Sequence, residues 1–245
     1  MKQIQVILLL TTVLLAFAFG PTNALTLAQL KVLFKGNIIA PADSTYNNVR
    51  TGYNARYSRL PVLVLQPQSA DGVKLALEYA QTNSLQVSVK SGGHSASLLS
   101  VLDDRVVIDL STMKNISFDP TSMTITAQPG NRWVEFYNYS INTFGVGTPG
   151  GNCPSVGIGG LSLGGGANEL ASVYGAAVDN VRELEVVLAN LTVVVANATQ
   201  NTDLVLGTAR RWPRKLWCRH KDYLPSVQPA SNLLLGLDHL QLDRL

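Results

Sequence analysis

The sequence runs Pro149-Gly-Gly-Asn-Cys-Pro-Ser-Val-Gly-Ile-Gly-Gly-Leu-Ser-Leu-Gly-Gly-Gly166 through its most glycine-dense part. Ten of the chain's 20 glycines fall in the 22 residues from Gly145 to Gly166. Glycine loses much backbone freedom on folding, so this density is expected where the backbone must approach something closely. A flexible linker would lack the apolar residues that alternate with these glycines. The stretch therefore predicts a backbone cradle for a flat or phosphate-bearing cofactor.

A second glycine loop precedes it, Lys90-Ser-Gly-Gly-His-Ser95, at the end of a predicted strand over Gln86–Lys90. Two glycines after a strand let successive backbone N–H groups form a concave anion site, although an ordinary tight turn fits equally well. His94 and Cys153 are the only histidine and cysteine in residues 25–205, and each lies in one of the two glycine loops. A metal site needs more ligands, and a Cys/His protease needs a third orienting group. Two interpretations of His94 and Cys153 remain: they belong to a cofactor site, or they have no functional role.

Two common nucleotide-binding motifs are excluded. Residues 145–150 match G-x-G-x-x-G, but this segment follows a predicted helix and contains Pro149 instead of joining a strand to a helix. No G-x-x-x-x-G-K-[S/T] sequence occurs, so a P-loop is also excluded. The sequence thus predicts neither a Rossmann fold nor a P-loop fold.

Composition restricts the function classes further. The chain has 245 residues, of which 46% are hydrophobic and 14% charged, which excludes a disordered protein. Two cysteines exclude a disulfide-dense miniprotein. The net charge of +3 comes from residues 206–245, which hold seven Lys/Arg and three Asp, so the body of the chain predicts no nucleic-acid partner.

The N-terminus predicts export. A short basic start, an apolar run from Val6 to Phe19 and a small residue at Ala24 are typical of a signal peptide, with cleavage after Ala24. The run is short for a membrane span, although a signal anchor is the alternative. Four N-x-S/T sites, at Asn115, Asn138, Asn190 and Asn197, fit a secreted glycoprotein without a membrane segment in its mature form.

Hydrophobic periodicity predicts an α+β fold, with two glycine-linked lobes. Strands are expected over Pro61–Pro67, Gln86–Lys90, Val106–Leu110, Ile116–Phe118 and Met123–Ala127, helices over Val73–Asn83 and Trp133–Thr143, and a hairpin over Glu183–Leu188 and Thr192–Ala196. The first strand, the first helix and the next strand together have the length of a βαβ unit.

The two loops together resemble those of FAD-linked oxidases with a PCMH-type (vanillyl-alcohol-oxidase-like) FAD-binding domain, most closely the berberine-bridge-enzyme-like branch. That branch is similar in carrying S-G-G-H, here Ser91–His94, and C-P-x-V-G-x-G-G followed by G-G-G, here Cys153–Gly160 and Gly164–Gly166. Asn54-Ala-Arg56 and Tyr174–Val181 also resemble family segments, and the match covers about residues 45–205. Leu161 stands where family members often have His.

The resemblance implies an oxidase that transfers hydride from a substrate C–H, alcohol or sugar-like, to FAD, with O2 as the acceptor and H2O2 as the product. With the export signal described above, a secreted oxidase is expected. It also implies that FAD is bonded covalently to His94 through the flavin 8α-methyl and to Cys153 through flavin C6. The residues that it assigns to the cofactor are Ser91, Gly92, Gly93, His94, Ser95, Gly151, Cys153, Val156, Gly157, Gly159, Gly160 and Val181. No metal site is implied, and the partners are a small-molecule substrate and O2.

The expected organisation is a signal peptide (1–24), a lead-in (25–56), a PCMH-type FAD-binding domain of two α/β lobes (57–205) and an aberrant, disordered tail (206–245). Relatives are expected to continue with a substrate domain that carries the catalytic base, and this domain is expected to be missing here. Two alternatives remain at this point. One is an inactive FAD-binding fragment of a truncated or frameshifted gene, and the other is a secreted glycoprotein without a cofactor.

Overall fold

The computed structural model describes residues 24–204, 234–241 and 243–244, which form two lobes of mixed α and β structure. The helices are α1 (Leu27–Leu33), α2 (Tyr46–Val49), α3 (Ala70–Thr82), α4 (Trp133–Phe144), α5 (Ile158–Leu163) and α6 (Ala171–Tyr174). The strands are β1 (Gly36–Ile39), β2 (Leu63–Pro67), β3 (Gln86–Lys90), β4 (Arg105–Asp109), β5 (Ile116–Asp119), β6 (Thr124–Ala127), β7 (Val146–Gly147), β8 (Val181–Val187), β9 (Val193–Asn197), β10 (Leu234–Gln241) and β11 (Asp243–Arg244). The α+β class predicted from the sequence is confirmed.

The first lobe is built on a four-stranded sheet in the order β1-β2-β4-β3. Strands β2, β4 and β3 are parallel, and β1 is antiparallel to β2. The predicted βαβ unit of β2, α3 and β3 exists, but β4 lies between its two strands. The central position suits β4 because four of its five residues are buried, as expected for a strand covered on both faces.

Both faces of this sheet are covered. Leu65 and Ile108 face α1 and α3, whereas their neighbours Val64 and Val107 point to the opposite face, because side chains alternate along a strand. On that opposite face, Leu98 and Val101 pack among other buried residues, namely Ile39, Tyr46, Val64 and Val107. The loop that follows β3 is therefore anchored to the sheet a few residues after His94.

The second lobe is a five-stranded sheet in the order β5-β6-β10-β8-β9, with α4 packed against it. Its hairpin β8–β9 pairs from Glu183↔Asn197 to Val187↔Val193, close to the prediction. Trp133 and Phe136 of α4 are fully buried with Ile125, Ile158 and Leu184. Burying two large aromatic side chains of one helix fixes how α4 and the segments at its start lie on the sheet.

Part of the predicted disordered tail is in fact strand. β10 lies between β6 and β8 and is antiparallel to both, and β11 pairs with β7. The physical reason is that β6 and β8 would otherwise each present unpaired N–H and C=O groups in the middle of the sheet. The charge of residues 206–245 masked a short leucine-rich run able to fill that place. The rest of that tail and residues 1–23 of the predicted signal peptide lie outside the described residues.

The chain segment that connects the two lobes is not glycine-rich, contrary to the prediction. The chain passes from β4 to β5 through a 3₁₀ turn at Leu110–Thr112 and the three residues that follow it. The glycine-rich stretch instead follows α4 and returns to the first lobe, because its glycines allow a close approach of backbone to backbone described below. None of the helices in the described part of the chain has the length and apolar character needed to cross a membrane.

Candidate functional site

The loop after β3 carries His94 and is held from both ends. Gly93 has φ +68°, a left-handed conformation that glycine adopts without strain, and its carbonyl accepts a hydrogen bond of 2.9 Å from the Tyr53 N–H. The Asn54 amide donates to the Ala96 carbonyl at 2.7 Å. The loop is therefore hydrogen-bonded to residues 53 and 54, and the buried side chain of Leu98 anchors it to the first lobe.

A nearly buried ion pair supports the start of this loop. The Lys90 ammonium lies 3.4 Å from Asp109 Oδ2 and donates to the Val49 carbonyl at 2.8 Å. The Asp109 side chain is 1% exposed and also accepts from Gln66 Nε2 at 3.0 Å. A buried carboxylate without these donors would be costly, so the network holds the ends of β2, β3 and β4 together.

The second loop carries Cys153 and is held by the start of α4. Its turn closes through a bond from the Val156 N–H to the Cys153 carbonyl at 3.1 Å. The N–H groups of Trp133 and Val134 donate to the carbonyls of Val156 and Pro154 at 3.0 and 3.1 Å. The first N–H groups of a helix have no partner within the helix, so here they bind the loop instead.

The two loops touch each other through glycines. A Cβ built on Gly92 would lie 2.6 Å from the Cα of Gly157, and one built on Gly157 would lie 2.6 Å from Ser91 Oγ. Gly157 also pairs with Arg132 in an isolated β-bridge, and Ser91 Oγ donates to the Pro129 carbonyl at 2.6 Å. Only glycine permits this approach, so both glycines have a structural role in joining the lobes.

This contact brings the two candidate nucleophiles to one point. His94 Nε2 lies 2.9 Å from Ser155 Oγ, and Cys153 Sγ lies 3.4 Å from the same oxygen. The Tyr53 ring stacks on the His94 ring with centroids 4.0 Å apart and an interplanar angle of 22°. The Cys153 thiol is free and exposed, and His94 is half-buried. The structure therefore juxtaposes the two residues that the sequence singled out.

The surroundings shift both groups toward reactive forms. Burial and then the positive charge of Arg132 lower the pKa of His94 below its ordinary value of 6.5. Hydrogen bonds from the Ser155 hydroxyl and, next, from the Ser155 backbone lower the pKa of the Cys153 thiol. A neutral imidazole and a thiol that ionises more readily are both better nucleophiles at neutral pH.

Some of the other predicted site residues lie near the contact between the two glycine loops, and the rest pack elsewhere in the fold. Gly159 borders Ser91, and a Cβ on Gly160 would meet nothing within 4 Å, so Gly160 faces open space. Gly151 packs on the Trp133 ring, whereas the Ser95 hydroxyl accepts from the Leu99 N–H at 3.1 Å. The side chains of Val156 and Val181 pack against the core of the second lobe, whereas the Val156 backbone N–H lies at the cysteine turn.

Sequence reasoning missed Tyr53, Ser155 and the Lys90–Asp109 pair. Ser155 was visible as the hydroxyl residue within the cysteine motif, but no spacing rule connects it to a histidine 61 residues away. Tyr53 sits in an apparent loop and is 69% exposed, which gives no sign of a ring partner. Lys90 and Asp109 end two strands that proved to be neighbours only in the folded sheet.

The arrangement presents an imidazole and a thiol on adjacent loops, open to solvent. Each nucleophile could bond to a different atom of one flat electrophilic molecule placed against both loops. Three buried polar atoms in or beside the glycine-rich stretch have no hydrogen-bond partner among the described residues: Trp133 Nε1, Thr148 Oγ1 and Ser162 Oγ. A buried polar side-chain atom without a hydrogen-bond partner is uncommon in proteins. Such atoms are typical of a site that receives water or a ligand.

Comparison with known proteins relates this chain to FAD-linked oxidoreductases. A family model described as an FAD binding domain matches residues 61–197. An uncharacterized FAD-linked oxidoreductase of Arthroderma benhamiae is 35% identical over 180 residues, which are 71% of this chain and 36% of that protein. The xylooligosaccharide oxidase of Thermothelomyces thermophilus is 34% identical over 158 residues, covering 62% of this chain and 31% of that protein.

Solved structures resemble the fold over most of the chain. The BBE-like 1 protein of Physcomitrella patens superposes with a TM-score of 0.77 at 28% identity, covering 89% of this chain and 44% of that one. A xylooligosaccharide oxidase of Myceliophthora thermophila, solved with xylobiose, gives a TM-score of 0.74 at 26% identity, covering 85% and 41%. The chain therefore spans less than half the length of these relatives.

Proposed function

The chain belongs to the FAD binding domain family of FAD-linked oxidoreductases, with a PCMH-type domain, and on that premise we propose that it is the cofactor-binding part of a secreted oxidase. When bound, FAD would take a hydride from a C–H bond of an alcohol or sugar-like substrate and return the electrons to O2, giving H2O2. The substrate hydroxyl would release its proton in the same oxidation. The similarity to a xylooligosaccharide oxidase supports the sugar-like class.

One observation carries the proposal: His94 Nε2 and Cys153 Sγ both lie within hydrogen-bonding distance of the Ser155 hydroxyl. In this proposal the two side chains hold FAD covalently. Each bond to the ring would replace one flavin C–H bond and one N–H or S–H bond of the side chain, and the two electrons and two protons released would pass to O2, giving H2O2. Two bonds from different loops would fix the ring in position and orientation, which is the protein's main contribution in a cofactor enzyme. The free thiol and the neutral imidazole described above fit this role.

The remaining residues of the site would bind the cofactor through backbone groups. The N–H groups of Ser91–Ser95 follow a strand and would receive the pyrophosphate. Gly160 faces open space, so its backbone would lie against the cofactor. Gly92 and Gly157 are occupied with each other on one side, and any contact with the cofactor would come from their other side.

An inactive FAD-binding protein is the second candidate. It is favoured by the openness of the site, since the Cys153 thiol is exposed in the described part of the chain. A flavin held in a site that is open to water could be bound without turnover. The two candidates predict the same cofactor attachment and differ only in H2O2 production.

Secretion and glycosylation form part of the proposal. Asn115, Asn138 and Asn190 have exposed side chains. Asn197 is half-buried, and its amide nitrogen donates to Glu183 Oε2 at 2.8 Å. We expect the glycosidase-sensitive mass of the secreted chain to come mainly from the first three sites, measured by peptide mass with and without endoglycosidase.

The test is to express the full chain in a secreting host, denature it, and measure flavin absorbance that stays with the polypeptide. Peptide masses should show flavin on His94 and on Cys153, and His94→Ala and Cys153→Ala should each remove one attachment. The matched control is Cys218→Ser, at the second cysteine of the chain, which should change neither attachment. Colourless wild-type protein with unmodified peptides would overturn the proposal, and an H2O2 assay with a panel of oligosaccharides separates the two candidates.

A further inference from the structure

The Ser155 hydroxyl stands between the two candidate nucleophiles, 2.9 Å from His94 Nε2 and 3.4 Å from Cys153 Sγ. It belongs to the turn closed by the Val156 N–H and the Cys153 carbonyl, so its position relative to the sulfur is set locally. Its position relative to the imidazole is set by the Gly92–Gly157 contact. The hydroxyl therefore contacts the candidate attachment side chains of both loops.

We propose that Ser155 is the positioning residue for both attachment side chains: its shared hydroxyl sets their spacing and stabilises the Cys153 thiolate. The inference rests on the proposed function for what is attached. The relation among the three side chains can be tested without any cofactor.

The hydrogen-bonding capacity of the three side chains determines which atom donates and which accepts in the series from His94 through Ser155 to Cys153. A hydroxyl has one proton to donate and two lone pairs with which to accept, and a thiolate only accepts. Once Cys153 is ionised, the Ser155 hydroxyl donates to the sulfur and accepts from a protonated Nε2 of His94. The thiol proton leaves to water, because the sulfur is exposed. The other ring nitrogen of neutral His94 then keeps its lone pair free.

The charged groups around the site agree with this arrangement. Burial and then the charge of Arg132, just before α4, lower the pKa of His94, which favours the neutral ring. Tyr53 stacks on that ring from the opposite segment. On the cysteine loop, the Asn152 amide donates to Glu169 Oε1 at 3.1 Å, and this carboxylate is the acidic group tied to the loop beside Cys153. The hydrogen bond from Ser155 is the largest cause of the lowered pKa of the thiol.

The experiment measures Cys153 alkylation by iodoacetamide as a function of pH, in the full chain carrying Cys218→Ser. Rates are read from the mass of the Cys153 peptide, so only the flavin-free fraction contributes. Ser155→Ala should shift the pH profile upward and slow the reaction at neutral pH by about three- to tenfold, since a donor to a charged acceptor is lost. Ser155→Thr should restore the parent profile.

The matched pair Ser155→Thr and Ser155→Val keeps the same side-chain shape and differs in the hydroxyl, so it decides the question even if the alanine variant folds poorly. The proposal is overturned if threonine and valine variants with equal melting temperatures give the same pH profile. Flavin on the Cys153 peptide should fall in the valine variant and persist in the threonine variant. Wild-type protein without flavin would remove the proposed function, but the alkylation profiles would still test Ser155.

Discussion

The contact between Gly92 and Gly157 makes a strong prediction about stability. In Gly92→Ala, the new Cβ would meet the Gly157 nitrogen first and would lie 2.6 Å from Gly157 Cα and 3.3 Å from the Val156 carbonyl carbon. All three are backbone atoms, which cannot rotate away. The loops must separate by about 1 Å to reach ordinary contact distance. Overpacking of this kind costs about 3 kcal/mol, and in a chain of this size that lowers the melting temperature by about 10 °C.

The matched control is Gly160→Ala in the same glycine-rich stretch. A Cβ there meets nothing within 4 Å and lies inside α5, where alanine is a better helix former than glycine. We expect an unchanged or slightly higher melting temperature by circular dichroism, but reduced flavin content, because Gly160 faces the open side of the site. A Gly92→Ala variant that melts within about 2 °C of the wild type would refute the claim that the loops are packed backbone on backbone.

Three further predictions follow from the same geometry. Tyr53→Ala should cost only about 0.5 kcal/mol, since the ring is exposed, yet lower the flavin content of the His94 peptide, whereas Tyr53→Phe should retain both. The pKa of His94 lies below 6.5, so the unfolded chain takes up its proton first as the pH falls. The contribution of neutral His94 to the free energy of unfolding is therefore complete above pH 6.5 and declines as the pH falls below it. Arg132→Gln should raise the pKa of His94 in an NMR titration and lessen the fall of the melting temperature at low pH. Ending the chain after residue 204 removes β10 from between β6 and β8 and should abolish soluble expression, whereas removing only residues 242–245 should not; equal soluble yields would contradict the sheet order.

Much of the local structure was predictable from the sequence. The strand before the first glycine loop, the helix that begins at Trp133 and the hairpin of β8 and β9 agree with their predicted positions to within a few residues. Alternation and helical spacing report burial of one face directly, so these elements needed no tertiary information. The prediction of a disordered tail was wrong for β10, because this strand pairs only with strands that are distant in the sequence.

The linear order of residues was sufficient to identify His94 and Cys153, because each is the only residue of its kind in the body of the chain and each lies among glycines. Folding alone decided that they meet at the Ser155 hydroxyl, that Tyr53 covers the imidazole, and that Gly92 and Gly157 join the lobes. Such contacts depend on how two sheets are placed relative to one another. Spacing along the chain carries no information about the distance between loops whose positions are set by separate cores.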